Sequence, residues 1–225
     1  MNVYCRSHLF PVWYHCRTMA RTTPIFVALF ISLVSGECIA EPPGGVDAFS
    51  PLALKATPAL VSDVVVGGAM LGSAGAGAFA GLNQGDWRQL GATAGVLLVT
   101  AGVTELTKRQ ALRRRPYTWD PSHAAAGAPD YCAGTAPVKP DDCKSFYSDH
   151  TALTAASAFS AVRSMHLSGR LESSQDRTVA YTSAALLTVI AGSLRVAAGK
   201  HYVSDVAVGA LVGATLGVLG PTLAY

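Results

Sequence analysis

Apolar residues along this chain gather in long blocks separated by short polar or Pro/Gly-containing stretches, the pattern of a helical protein rather than of alternating strands. After a first apolar run over 25–34, the blocks fall near 58–82, 89–107, 150–166, 177–198 and 202–220. Few runs alternate apolar and polar positions, so strands are not expected. The fold class predicted is all-α, a single helical bundle of five to six helices. Residues 41–56 read as a linker and 57–225 as the helical domain. The stretch 64–82 is mostly Gly, Ala and Val, and its small residues at four-residue spacing predict close helix packing. The polar segment 168–177 predicts a helix-to-helix loop.

Composition sharpens the picture. The chain has 225 residues, 50% of them hydrophobic and only 14% charged, which is apolar for a soluble protein. Whether the blocks cross a bilayer is open at this level. Arg163, Arg170 and Arg177 around one loop fit a cytoplasmic loop, whereas Asp63, Arg163 and Arg195 interrupt apolar blocks and 150–166 is barely long enough to span. Membrane association is the expectation, with a compact soluble bundle as the alternative. The net charge of +3 is modest. With no basic stripe or binding motif, it argues for an anionic small substrate or a lipid headgroup and against nucleic acid.

The N-terminal residues 1–40 read as a signal peptide or an N-terminal membrane anchor. Arg17 and Arg21 precede the run 25–34, and Cys38-Ile39-Ala40 before Glu41 has the small residues of a cleavage site. Met19 is a candidate start, because the residues before it carry no pattern. Cleavage after Ala40 would remove Cys5, Cys16 and Cys38 and leave Cys132 and Cys143, an even pair in a loop rich in Pro, Gly and Asp. In an oxidising compartment these two are expected to bridge, holding the segment just before Ser148.

Three clusters carry the chemistry. They are Lys108 with Arg115-Pro116, then Ser148-Asp149-His150, then Ser193-Leu194-Arg195 with His201 and Asp205. Together they supply donors for a tetrahedral oxyanion and an imidazole to attack it. If 90–106 is helical, Lys108 and Arg115 leave one face two turns apart, and Pro116 stops the helix. His201 and Asp205 are four residues apart, so the carboxylate can accept a hydrogen bond from one ring nitrogen and leave the other free as nucleophile. No His pair or acidic cluster stands at metal-ligand spacing, so no metal and no cofactor are expected. Arg109, Arg113 and Arg114 read as a solvated or headgroup-facing run. His123 and His166 read as structural or surface residues.

At these residues the chain resembles the superfamily of type 2 phosphatidic acid phosphatases, bacterial class A acid phosphatases and vanadium haloperoxidases. The first block, KRQALRRRP, and the third, SLRVAAGKHYVSD, match that family's pattern at every defining position, and the second reads YSDH where the family has Pro-Ser-Gly-His. The resemblance covers roughly 90–219. It implies a bundle of that family's kind, with six apolar segments, counting 25–34, as in the integral lipid phosphatases. It implies His201 as nucleophile, Asp205 as its orienting carboxylate and His150 as general acid and base. Lys108, Arg115, Ser148 and Arg195 would bind the phosphate oxygens. Asp149 stands at the glycine position, where its charge opposes an anion unless Lys108 or an arginine neutralises it.

The function so implied is a metal-independent phosphatase acting on a phosphomonoester or a lipid phosphate or diphosphate through a phosphohistidine. It would be exported, at the inner membrane with a periplasm-facing site or soluble in the periplasm, with vanadate as inhibitor. The alternatives are a vanadate-dependent haloperoxidase, with vanadate then a cofactor on His201, and a weakened, non-catalytic phosphate or phospholipid binder.

Overall fold

The computed structural model describes residues 4–6, 13–15, 44–126, 128, 131, 132 and 140–225. The signal or anchor reading of 1–40 falls outside the described residues, apart from a pair of three-residue strands, β1 (Tyr4–Arg6) and β2 (Trp13–His15). The rest is helical. Five helices follow in order: α1 (Ala56–Gln84), α2 (Arg88–Ala111), α3 (Asp149–Leu167), α4 (Ser174–Ala197) and α5 (Val203–Ala224).

Local chemistry sets their ends. Gly85, left-handed at φ 69°, closes α1: its N–H donates to the Gly81 carbonyl and the following N–H, of Asp86, to the Ala80 carbonyl. The Ser148 hydroxyl accepts from the Thr151 N–H at the start of α3, and Ser173 with Asp176 forms a capping box on α4. That box starts α4 at Ser174, inside the stretch expected to be loop. On α5 the Asp205 carboxylate accepts from the Tyr202 N–H at 2.9 Å. One departure bears on the site. α2 ends at Ala111, where Leu112 turns left-handed at φ 44°, so the helix stops before Pro116 and Arg115 is extended rather than helical. Lys108 and Arg115 therefore do not share a helix face.

α3 is the axis of the bundle. It touches all four other helices, which surround it in the order α1, α2, α5, α4. Its buried positions are Ala, Ser and Thr, from Thr151 and Ala152 through Ser160 and Ser164. The closest approach comes from α5, whose Gly209, Gly213 and Gly217 lie against the backbone of Ser148, Ala152 and Ala156. In α1, by contrast, Gly67, Gly68, Gly72 and Gly75 have no neighbour within 4 Å of where a Cβ would stand, and only Gly77 and Gly81 are crowded, by Leu90 and Trp87. Close packing predicted for the whole small-residue stretch of α1 is confined to its end, and the main contact stripe is on α5.

The distribution of side chains is inverted relative to a water-soluble bundle. Leu71, Leu82, Leu98, Leu186, Val189 and Leu211 are exposed, while Ser62, Thr93, Thr100, Thr154, Ser157 and Ser160 are buried. Some interior hydroxyls pair with one another, as Thr93 does with Ser160 at 3.2 Å, while those of Thr154 and Ser164 have no partner among the described residues. Among the described residues, the helices α1, α2, α4 and α5 are long and apolar enough to cross a membrane. Such an exterior and four such helices point to membrane association.

The segment expected to be a linker is tied in. Residues Gly45–Phe49 form a 3₁₀ turn, and Asp47 within it accepts from the Ser204 N–H at 2.9 Å and from Arg113 at 2.6 Å. The Lys55 N–H then donates to the Ala198 carbonyl at 3.1 Å, beside Gly199. A Cβ on Gly199 would meet the Pro51 carbonyl at 3.0 Å, so the left-handed turn leading to His201 is pressed against this segment.

Candidate active site

The bundle alternates direction, so the start of α1, the end of α2, the start of α3, the end of α4 and the start of α5 meet at one end. All the residues singled out by the three motif clusters lie there. Lys108, in the last turn of α2, is buried, and its Nζ lies 3.0 Å from Asp149 Oδ2. Arg115 is held by the Asp141 carbonyl at 2.7 Å, the Asp141 carboxylate at 3.1 Å and the Lys200 carbonyl at 3.0 Å. Its Nη1 lies 3.2 Å from His201 Nε2. Arg195, in the last turn of α4, reaches Asp63 Oδ1 at 3.2 Å. Its Nε is buried with no hydrogen-bond partner among the described residues.

His201 is fully buried beneath Arg115 rather than open at the surface. Its Nδ1 lies 2.7 Å from the Ser145 carbonyl, which requires a proton on Nδ1 and leaves the Nε2 lone pair toward Arg115 and Asp149, whose Oδ1 is 3.9 Å away. Asp205 Oδ2 is farther from Nδ1, at 3.7 Å. The tautomer is thus set directly by Ser145, and Asp205 acts through it: the Ser145 hydroxyl donates to Asp205 Oδ2. Burial pushes the His201 imidazole down to about 4, with Asp205 opposing and the Arg115 charge adding to the shift. The ring is neutral near pH 7.

His150 has carboxylates on both ring nitrogens, Asp149 Oδ1 at 3.0 Å from Nδ1 and Asp63 Oδ1 at 2.7 Å from Nε2. Ser148 is buried at the cap of α3, and its backbone N–H donates to the Asp205 carbonyl at 3.1 Å. Burial works to raise the Asp149 carboxyl, but the His150 hydrogen bond and the Lys108 charge outweigh it and hold it well below the usual carboxylate range. A first-turn carboxylate also suits the positive end of α3. Tyr147, the other departure from the second block, is buried, and its hydroxyl accepts from Thr104 at 3.0 Å.

Each cation expected to meet phosphate therefore has an aspartate beside it: Lys108 with Asp149, Arg115 with Asp141 and Arg195 with Asp63. The cysteines at 132 and 143 are joined in a disulfide, and the loop it closes contains both Asp141 and Asp142.

A model of the PAP2 superfamily matches residues 89–224. The chain belongs to that superfamily. No curated protein and no solved structure matches it. The PAP2 match contains α2 to α5 and all three blocks but not α1, so Asp63 comes from outside it.

Sequence reading missed several residues here. Arg113 is not on a solvated face: it donates to Asp205 at 2.6 Å, Ser204 at 2.8 Å and Asp47 at 2.6 Å and lies over the Tyr202 ring at 4.3 Å. Arg114 is buried as well, over the Trp119 ring at 3.7 Å. Arg109 alone of the run is exposed, paired with Glu105. For Asp63 a signal existed, since an ionisable residue inside an apolar block marks a functional position by default. His166 packs against Tyr181, and His123 packs against Tyr117 with its Nε2 3.7 Å from Asp142, whose carbonyl accepts the Arg115 N–H.

Proposed function

We propose that this PAP2 domain is a metal-independent phosphatase that hydrolyses a phosphomonoester or a lipid phosphate or diphosphate through a phosphohistidine. Membership of the superfamily implies phosphatase-type chemistry in general. The single observation that carries the finer reading is His201: its Nδ1 is fixed by Ser145 at 2.7 Å, and its Nε2 faces Arg115 at 3.2 Å.

In this reading the Nε2 lone pair of His201 attacks phosphorus while the ester P–O bond breaks and His150 gives its proton to the leaving oxygen. Lys108, Arg115 and Arg195, with the Ser148 hydroxyl, take the phosphoryl oxygens as charge builds on them. His150 then removes a proton from water, the water oxygen attacks phosphorus, the P–N bond breaks, and inorganic phosphate leaves with both imidazoles restored. Asp205, Ser145 and Arg113 hold the nucleophile in place without touching substrate.

The chain would be exported after removal or retention of 1–40, with its helices in the inner membrane and the site facing the periplasm. A phosphate-release assay on purified protein in detergent is the test, with soluble phosphomonoesters, phosphatidic acid, phosphatidylglycerol phosphate and a polyprenyl diphosphate as substrates. Release from at least one class, resistant to EDTA and inhibited by vanadate, is expected. Binding of phosphate or vanadate without release from any of them would favour a non-catalytic binder instead.

A further inference from the structure

Asp63 lies in the second turn of α1, outside the region matched to the family, yet it touches two of the residues assigned to catalysis. Its Oδ1 is 2.7 Å from His150 Nε2 and 3.2 Å from Arg195 Nη1. Those are two donors that a phosphate substrate needs, the cation for a phosphoryl oxygen and the imidazole for the ester oxygen of the leaving group. Asp63 Oδ1 competes with those two substrate oxygens for the same pair of donors. The side chain is 54% exposed, so it has room to yield its position without leaving the neighbourhood.

We propose that Asp63 is a specificity-determining residue, selecting phosphate esters whose leaving group carries a positive charge over those whose leaving group carries a negative one. This rests on the phosphatase reading of the site. When a phosphoryl group takes Arg195 and its ester oxygen takes His150 Nε2, the Asp63 carboxylate loses both partners and faces the leaving group. A cationic leaving group, such as an aminoalkyl alcohol, replaces the lost partners. A second carboxylate or phosphate meets like charge. The surroundings add to this rather than cancel it: Asp141 carries a second carboxylate, 70% exposed, beside Arg115. Lys200 also lies within electrostatic range of both aspartates, but together with Arg115 and Arg195, which the transferred phosphoryl group itself occupies. At the screening of a half-exposed site, one such charge contact amounts to roughly a tenfold effect.

The test compares three small esters of similar size and similar alkoxide leaving groups: phosphoethanolamine, propyl phosphate and phosphoglycolate. With the full chain in detergent, kcat/KM should fall in that order, by roughly tenfold or more between the first and the last. Asp63→Asn should bring the three within roughly twofold of one another, while Asp63→Glu should keep the order. Should Asp63→Asn fail to fold, the wild-type ratio at low and high salt serves instead, and it should shrink as salt screens the half-exposed carboxylate. A ratio unchanged in Asp63→Asn, or unchanged by salt, overturns the inference and leaves the phosphatase reading standing. A wild-type chain that turns over none of these small esters but releases phosphate from the lipid substrates overturns the inference alone, and one that releases phosphate from none of them, p-nitrophenyl phosphate included, overturns the phosphatase reading itself.

Discussion

Lys108 Nζ lies 3.0 Å from a carboxylate oxygen of Asp149, and the other oxygen of that carboxylate is 3.0 Å from Nδ1 of His150. The motif that this chain resembles has glycine in place of Asp149, and a bare carboxylate there would repel a phosphate. The geometry gives it two tasks instead. It neutralises Lys108, and it fixes the ring of His150.

These tasks separate in kinetics. Asp149→Gly frees Lys108 for phosphate and should lower KM a few-fold, but it also releases His150. We expect kcat to fall roughly tenfold for poor leaving groups and much less for p-nitrophenyl phosphate, which needs little protonation. Steady-state kinetics on the two substrate types check this, and a variant with raised kcat on both would show that Asp149 has no positioning role.

His201 makes the fold sensitive to mild acid. Its folded value near 4 lies below the ordinary 6.5, so the unfolded chain takes up a proton over that window and the folded chain does not. Stability from this group is complete above about pH 6.5 and declines as pH falls toward 4, by up to about 3 kcal/mol. The depressed Asp149 carboxylate contributes only below the ordinary carboxylate value of 3.8. Thermal unfolding in detergent should lose midpoint between pH 6.5 and 4 in the wild type, and lose less in His201→Asn.

The Cys132–Cys143 bridge closes the loop that carries Asp141, whose carbonyl and carboxylate hold Arg115. Reduction, or the double Cys→Ser variant, removes about 3 kcal/mol of loop restraint from a segment outside the five helices. Phosphatase activity should fall several-fold while far-ultraviolet circular dichroism stays unchanged. Loss of helix on reduction would contradict this placement of the bridge.

Glycines in the two small-residue helices should behave oppositely. A Cβ on Gly209 would meet the Ser148 carbonyl at 2.6 Å, and one on Gly213 would collide with the Ala152 carbonyl. Gly213→Ala should destabilise by about 1–3 kcal/mol, and Gly209→Ala should also cost activity through Ser148. Gly67→Ala, with open space around it, should be neutral or slightly stabilising. Melting temperatures of the three variants decide.

The helices were legible because each is one long apolar block, and three blocks that meet at one end of the bundle could be picked out because order and spacing across 108–205 are so restrictive. What sequence could not reveal are contacts made by chain direction in space. Arg113 looks like part of a basic run, and only the left-handed turn at Leu112 aims it at Asp205. Asp47 sits 157 residues from Ser204, its backbone donor. The glycines of α1 and α5 look alike in sequence, and which set packs depends on α3 lying at the centre, itself a consequence of its small, polar face. Asp63 was read as a flaw in a span, when its charge is matched by Arg195 from 132 positions away.

The central claim is that His201 carries the phosphoryl group. Rapid quenching of the full chain during turnover of a ³²P-labelled substrate, followed by peptide mapping, tests it directly. The account predicts an acid-labile, base-stable label on the peptide containing His201, absent in His201→Gln and retained at a higher level in His150→Ala with a good leaving group. A label on His150, or turnover that persists in His201→Gln, would contradict it.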